Sequence, residues 1–201
     1  MQIGMVQTGV ANVASIRAAF GRLQCELVSV QSPHDVNSMD AIVVPGVGSF
    51  GAGMKALQEQ GLVEPLRDRI TAGDPTLAIC LGLQLLSRDS EETPGVRGLG
   101  CIDGSVRRFT SVPVVPQFGW SLIEAGDGCT LLESGYVYFA NSYKLSSKDE
   151  RFQYATAAYG GTYCAGFERD GVLACQFHPE LSGQLGHRII KRWLKKGGFS
   201  C

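Results

Sequence analysis

A cysteine stands where two local patterns meet, in Thr76-Leu77-Ala78-Ile79-Cys80-Leu81-Gly82-Leu83-Gln84-Leu85-Leu86. Thr76 to Ile79 is a short apolar, β-rich run, the mark of a buried parallel strand. From Leu81 to Leu86 the spacing becomes helical. A nucleophile in the turn between them sits on a sharp elbow, exposed at the carboxyl end of a sheet. The amides of a first helical turn have no intrahelical partners, and their field favours negative charge on the sulfur or on an oxyanion beside it. Gly82 lets the backbone pass close by. A cysteine in an apolar strand is more often a small core residue, so this segment alone does not decide its role.

A second segment answers it: Gln176-Phe177-His178-Pro179-Glu180. The chain has three histidines, so few bases are available. His34 follows Pro33 in a polar stretch and reads as loop. His187 falls in Gly183–Lys196, a basic terminal helix, and reads as solvated. His178 ends the apolar strand Val172–Phe177. Side chains alternate along an extended segment, which would put His178 and Glu180 on one side, with Pro179 keeping the segment extended. A histidine at a strand end is the plain alternative for a lone His-Pro-Glu. Together with Cys80 the set becomes nucleophile, base and a carboxylate that orients the base.

The elements that must position these groups follow one rhythm. Strands are expected at Gln2–Val6, Cys25–Val30, Ala41–Val44 and Thr76–Ile79. Helices are expected at Val13–Leu23, Ala52–Glu59, Leu62–Ala72 and Leu81–Leu86. This alternation describes a mostly parallel sheet covered by helices on both faces. After about residue 98 the pattern changes to strands and turns: Ser105–Phe109, Trp120–Glu124, Tyr136–Ser142, Phe152–Tyr159, Thr162–Glu168 and Val172–Phe177. The expected fold is α/β with an added antiparallel portion. At 201 residues the chain reads as a single domain spanning residues 1–201.

Composition excludes several classes. A net charge of −1 gives no electrostatic case for nucleic acid. Lys191, Arg192, Lys195 and Lys196 form a short basic cluster that suits a solvated helix end. No apolar run reaches membrane-spanning length, and Met1 leads directly into a strand rather than a signal peptide. Seven cysteines is an odd count, without a Cys-x-x-Cys pair, so reduced thiols in the cytoplasm are expected rather than a disulfide framework or a zinc site. Pro45-Gly46-Val47-Gly48-Ser49-Phe50-Gly51 follows the third strand. No Gly-Lys-Ser/Thr completes a phosphate loop there. The segment reads either as an ordinary strand-to-helix turn or as an oxyanion donor, the Val47 amide paired with that of Leu81.

Cys80-Leu81-Gly82 with Gln84, followed by Phe177-His178-Pro179-Glu180, resembles the class I, triad-type glutamine amidotransferases, whose fold is flavodoxin-like. Within that family, several segments are similar to the glutaminase subunits of imidazole glycerol phosphate synthases. They are Val44–Gly51, Ser90-Glu91-Glu92, Gly98-Leu99-Gly100, Phe118-Gly119-Trp120, Tyr138-Phe139, Ser142-Tyr143 and Thr8-Gly9-Val10-Ala11-Asn12-Val13. The resemblance implies that Cys80, His178 and Glu180 hydrolyse glutamine, with Val47 and Leu81 as backbone oxyanion donors. It implies that Gly48, Gln84, Ser142 and Tyr143 bind glutamine, and that Asn12, Trp120 and Leu181 face a partner. That partner would be a (β/α)₈-barrel cyclase that receives the ammonia and makes imidazole glycerol phosphate. No cofactor or metal is implied. Four positions depart from the family pattern: Ala78 for a usual glycine, Gln117 and Asn141 for usual histidines, and Leu181 for a usual basic residue. A paralogous glutaminase feeding another synthase, such as one aminating a surface sugar, is the nearest alternative. A cysteine peptidase or hydrolase on a similar sheet, and a redox module with a reactive Cys80, are the others.

Overall fold

The computed structural model describes residues 1–8, 12–110, 112–147 and 149–200. Gly9, Val10 and Ala11 of the expected first loop lie outside them. Four strands open the chain: β1 (Ile3–Val6), β2 (Leu27–Val30), β3 (Ala41–Val44) and β4 (Thr76–Ile79). Between and after them come α1 (Val13–Gly21), α2 (Pro33–Ser38), α3 (Phe50–Glu59), α4 (Val63–Ala72) and α5 (Leu81–Leu85). The second half supplies β5 (Asp89–Ser90), β6 (Gly104–Arg108), β7 (Gln117–Ala125), β8 (Gly135–Asn141) and β9 (Tyr143–Ser147). It continues with β10 (Gln153–Ala158), β11 (Thr162–Arg169) and β12 (Val172–Cys175), a 3₁₀ turn Pro179–Leu181, and α6 (Gly183–Lys196).

The main path through the sheet is β2-β1-β3-β4-β12-β11-β10-β7-β8, and β5, β6 and β9 branch from β11. β1 through β4 and β12 pair in parallel, whereas β11, β10, β7 and β8 pair antiparallel. The expected mixed sheet is therefore present. Its parallel strands bury both faces, as near-continuous apolar runs require. In β4, Leu77 and Ile79 join the core layer containing Ile16, Phe20, Ile189 and Trp193 from α1 and α6. Ala78 joins the opposite layer with Met54, Leu66 and Leu83 from α3, α4 and α5. Each fully buried large side chain of this kind stabilises the fold by about 1.5–3 kcal/mol.

Three expectations need correction. His34 is not in a loop: it lies in α2, where Ser32 and Asp35 form a reciprocal capping box and Pro33 fits the first turn. β12 ends at Cys175, two residues before the expected Phe177. His178 itself is extended, but Pro179 opens a 3₁₀ turn, so the segment does not stay extended through Glu180. The same preset φ that suits an extended segment also suits the first residue of a helical turn. β5, β9 and the 3₁₀ turn were not anticipated, and the other elements differ by a few residues at their ends.

Candidate active site

Cys80 occupies the junction of β4 and α5 with φ 55° and ψ −107°, a conformation L-residues rarely adopt. Its amide donates to the Cys175 carbonyl at 2.7 Å, which extends the β4–β12 pairing to the elbow. Gly82 is required two residues on. A Cβ there would stand 1.9 Å from the Val44 carbonyl oxygen, so only glycine lets α5 approach β3 this closely.

The base is held from the opposite side by β8. The His178 amide donates to the Tyr138 carbonyl at 2.9 Å. Ser182 Oγ donates to the His178 carbonyl at 2.6 Å and accepts from the Tyr138 amide at 3.0 Å. Behind the turn, α6 packs so tightly that a Cβ on Gly186 would lie 1.9 Å from the Pro179 carbonyl oxygen. The 3₁₀ turn brings Glu180 Oε1 to 2.8 Å from His178 Nδ1. The expected pairing is thus achieved by a helical turn rather than by strand alternation.

Burial alone would push the His178 pKa down. Hydrogen bonds to Cys80 and Glu180, and then their charges, outweigh it and lift the pKa to about 10. Burial pushes the Cys101 and Cys164 thiols up to about 12 and Cys129 to about 11, and holds Cys175 well above the ordinary thiol range. These four are therefore protonated at neutral pH and do not compete as nucleophiles.

Eight expected residues line one cavity of about 350 Å³: Val47, Gly48, Cys80, Leu81, Gln84, Ser142, Tyr143 and His178. Glu180 stands behind the imidazole, nearly fully buried. The Leu81 amide, expected to face an oxyanion, donates instead to the Gly46 carbonyl at 3.3 Å. Gln84 Nε2 donates to the Tyr143 carbonyl at 3.2 Å and to Gln176 Oε1 at 3.0 Å. Asn12, Trp120 and Leu181 do not line the cavity. Asn12 is exposed and caps α1 by accepting from the Ser15 amide. Trp120 is 56% exposed and Leu181 37%. His187 is half-buried.

Sequence reasoning missed Glu92, Asn141 and Gln176 as parts of the site. Glu92 is the carboxylate among the described residues lining the cavity, and its Oε2 accepts the Phe50 amide at the start of α3 at 2.6 Å. The run Ser90-Glu91-Glu92 was its only signal, and nothing local shows that it reaches the nucleophile. Asn141 lines the cavity and pairs across the ladder with Gln117, so two departures from the family pattern are direct neighbours. A larger surface depression of about 840 Å³ is lined by Arg88, Arg107 and Arg151, each already paired with an aspartate. No group of three His, Cys, Asp or Glu among the described residues is placed to hold a metal.

The family described as glutamine amidotransferase class-I matches residues 5–196. The imidazole glycerol phosphate synthase subunit HisH of Synechococcus sp. (strain CC9902) is 39% identical, covering 96% of this chain and 94% of that protein. HisH of Syntrophotalea carbinolica is also 39% identical, covering 95% and 98%. The chloroplastic imidazole glycerol phosphate synthase hisHF of Arabidopsis thaliana is 38% identical over 96% of this chain but only 34% of its own length. Among solved structures, a glutamine amidotransferase superposes with a TM-score of 0.79 at 22% identity, covering 99% of this chain and all of that one. PurLQS from Thermotoga maritima gives 0.76 at 17% identity, covering 96% and 97%. At such identities the structures speak to the fold alone.

Proposed function

Because the chain belongs to the class-I glutamine amidotransferases, with HisH subunits among its full-length relatives, we propose that it is the glutaminase subunit of an imidazole glycerol phosphate synthase, acting in histidine biosynthesis. The observation that carries this is the strained Cys80 elbow facing a His178–Glu180 pair inside a cavity with one carboxylate wall. Cys80 Sγ, its proton already resting on the raised-pKa His178, attacks the side-chain carboxamide carbon of glutamine. His178 passes that proton to the departing nitrogen, which leaves as ammonia, and a glutamyl thioester remains. Water, deprotonated by His178, attacks the thioester carbon. The C–S bond breaks, the water-derived proton on His178 is shared with the departing Cys80 sulfur, which restores the resting pair, and glutamate leaves. Glu180 holds the imidazole tautomer and its charge. The Val47 and Leu81 amides receive the oxyanion once the glycine loop turns, which points the Val47 amide inward and frees the Leu81 amide from the Gly46 carbonyl. Gly48, Gln84, Ser142 and Tyr143 hold the glutamine, and Glu92 suits its ammonium group.

Ammonia then passes to a (β/α)₈-barrel cyclase. The chain works as one domain, in the cytoplasm. Among its described residues no helix is long and apolar enough to cross a membrane. Docking to the cyclase is supported by an exposed apolar face on the β7–β8 pair, formed by Phe118, Trp120, Leu122 and Tyr136. Two thirds of the Arabidopsis hisHF protein lies outside the match, room for a second catalytic unit in that protein. The relatives do not favour the paralogous or peptidase readings. The deciding experiment copurifies the chain with the cyclase encoded in the same genome and measures glutamate release with and without the cyclase's nucleotide substrate. Absence of glutamine-dependent glutamate release in the loaded complex would overturn the reading.

A further inference from the structure

Gln176 lies between β12 and His178 and is fully buried. The β4–β12 register pairs Ile79 with Cys175, so one residue further on Gln176 stands alongside Cys80. Its Nε2 lies 3.8 Å from Cys80 Sγ, within N–H···S reach. Which end of this amide faces the sulfur is fixed by a chain of partners. The Tyr143 carbonyl can only accept, so the Gln84 atom 3.2 Å from it is Nε2. That same Nε2 lies 3.0 Å from Gln176, and the atom it meets must be the acceptor, Oε1. Gln176 Nε2 is thereby turned toward the sulfur. Asn141 Nδ2 donates to the same Tyr143 carbonyl at 2.9 Å and braces the anchor from β8.

We propose that Gln176 is a positioning residue of the glutaminase centre: it holds Cys80 Sγ toward His178 and donates a hydrogen bond to the sulfur whenever the sulfur is negative. Those moments are the resting pair, the attack on the carboxamide and the later expulsion from the thioester. The other charged or titratable groups lining this cavity are His178, with Glu180 behind it, Glu92 and Tyr143. His178 gives and takes a proton in each half-reaction. The amide does neither, so its N–H remains aimed at the sulfur throughout. A hydrogen bond to a charged atom in a buried site is stronger than a neutral one. The sulfur contact stands on geometry, and only its timing in the reaction rests on the glutaminase reading.

The test uses Gln176→Met, which keeps volume, and Gln176→Glu, which keeps shape but turns an oxygen to the sulfur. Alkylation of Cys80 by iodoacetamide is followed between about pH 6 and pH 10 by mass spectrometry of the Cys80 peptide. The kcat and KM for glutamine are measured in the reconstituted complex. Alkylation at the acid end should fall about tenfold in Gln176→Met and further in Gln176→Glu, while the alkaline plateau changes less than about threefold. The kcat should fall about tenfold with KM nearly unchanged. A wild-type alkylation profile, or an equal loss at every pH, would overturn the proposal, the second outcome marking a packing role only. If Gln176→Met does not fold, the Gln176→Glu profile decides by the same criterion. A wild-type complex that releases no glutamate would refute the glutaminase reading while leaving the alkylation profiles to judge the sulfur contact.

Discussion

Cys80 is held at φ 55° with its amide bonded to the Cys175 carbonyl and its sulfur met by Gln176 Nε2, so the strained elbow is over-determined by its neighbours. Strain of this kind costs about 1–3 kcal/mol and persists because the surrounding sheet enforces it. Cys80→Ala should abolish glutamine hydrolysis, by about a thousandfold or more, yet leave the complex able to use added ammonia. Glutamate release and ammonia-dependent synthesis, assayed side by side, check both halves. The His178–Glu180 pair also makes a stability claim. The His178 pKa is raised from 6.5 to about 10 in the folded state. Between these values the native chain binds more protons than the unfolded one, so stability falls as pH rises. The contribution is fully present below about pH 6.5 and lost as pH passes about 10. Glu180→Gln removes one cause of the shift, so urea midpoints across that range should fall less steeply in the variant than in the wild type.

Helix α6 and the 3₁₀ turn form one mechanical unit. Trp193 Nε1 donates to the Gly171 carbonyl at 2.9 Å, and the ring of Trp193 meets Phe20 edge-on at 6.3 Å, which fixes the helix against the sheet. Gly186 then lets the helix touch the turn that carries His178. In an open helix, glycine to alanine stabilises by about 1 kcal/mol. Here the new Cβ would overlap the Pro179 carbonyl oxygen, so the sign should reverse. Gly186→Ala is expected to destabilise by about 1–3 kcal/mol, as overpacking does. Because the displaced turn holds the base, kcat should fall more than KM changes. Thermal melts and steady-state kinetics on the same preparation test the two effects. A variant more stable than wild type would show that the turn gives way freely.

For the molecule as a whole, the face of β7 and β8 sets the expectations. Trp120 and Phe118 stack edge-on against Tyr138 on that exposed face, while the Tyr138 backbone holds His178 from behind. Trp120→Glu should leave the fold of the free chain intact and weaken binding to the proposed cyclase partner by more than about tenfold, since aromatic anchors dominate such interfaces. Calorimetric titration against the cyclase, with circular dichroism of the free variant, measures both. In the chain alone the Leu81 amide is spent on the Gly46 carbonyl. Freeing it requires the Gly46–Gly48 segment to turn, which Gly48, at φ 98°, permits. The free chain should therefore hydrolyse glutamine at least about tenfold more slowly than the nucleotide-loaded complex, each tenfold reflecting about 1.4 kcal/mol between loop states. Equal turnover in the two would remove this account.

The parallel half of the sheet was legible in the chain because its signal is local. Buried strands such as Ala41–Val44 and Thr76–Ile79 are unbroken apolar runs, and the Cys80 elbow is a change of period within eleven residues. His178 and Glu180 were legible as types and spacing. Their geometry was not, because Pro179 fits an extended segment and a helical turn equally well, and the choice fell to Ser182, Tyr138 and the close approach of Gly186. Helix α2 carries a local capping box, but its polar stretch around His34 has no apolar period to mark it as helix. Glu92, Asn141 and Gln176 could not be placed by pattern. Glu92 and Asn141 line the cavity from a loop and from β8, and Gln176 stands beside Cys80 Sγ; only strand register and helix packing bring the three to one site. Sequence alone determined which residue types could do the chemistry and in what order the elements run. Tertiary structure decided which polar groups meet, because those contacts join residues far apart in the chain, and their formation depends on how the whole sheet closes.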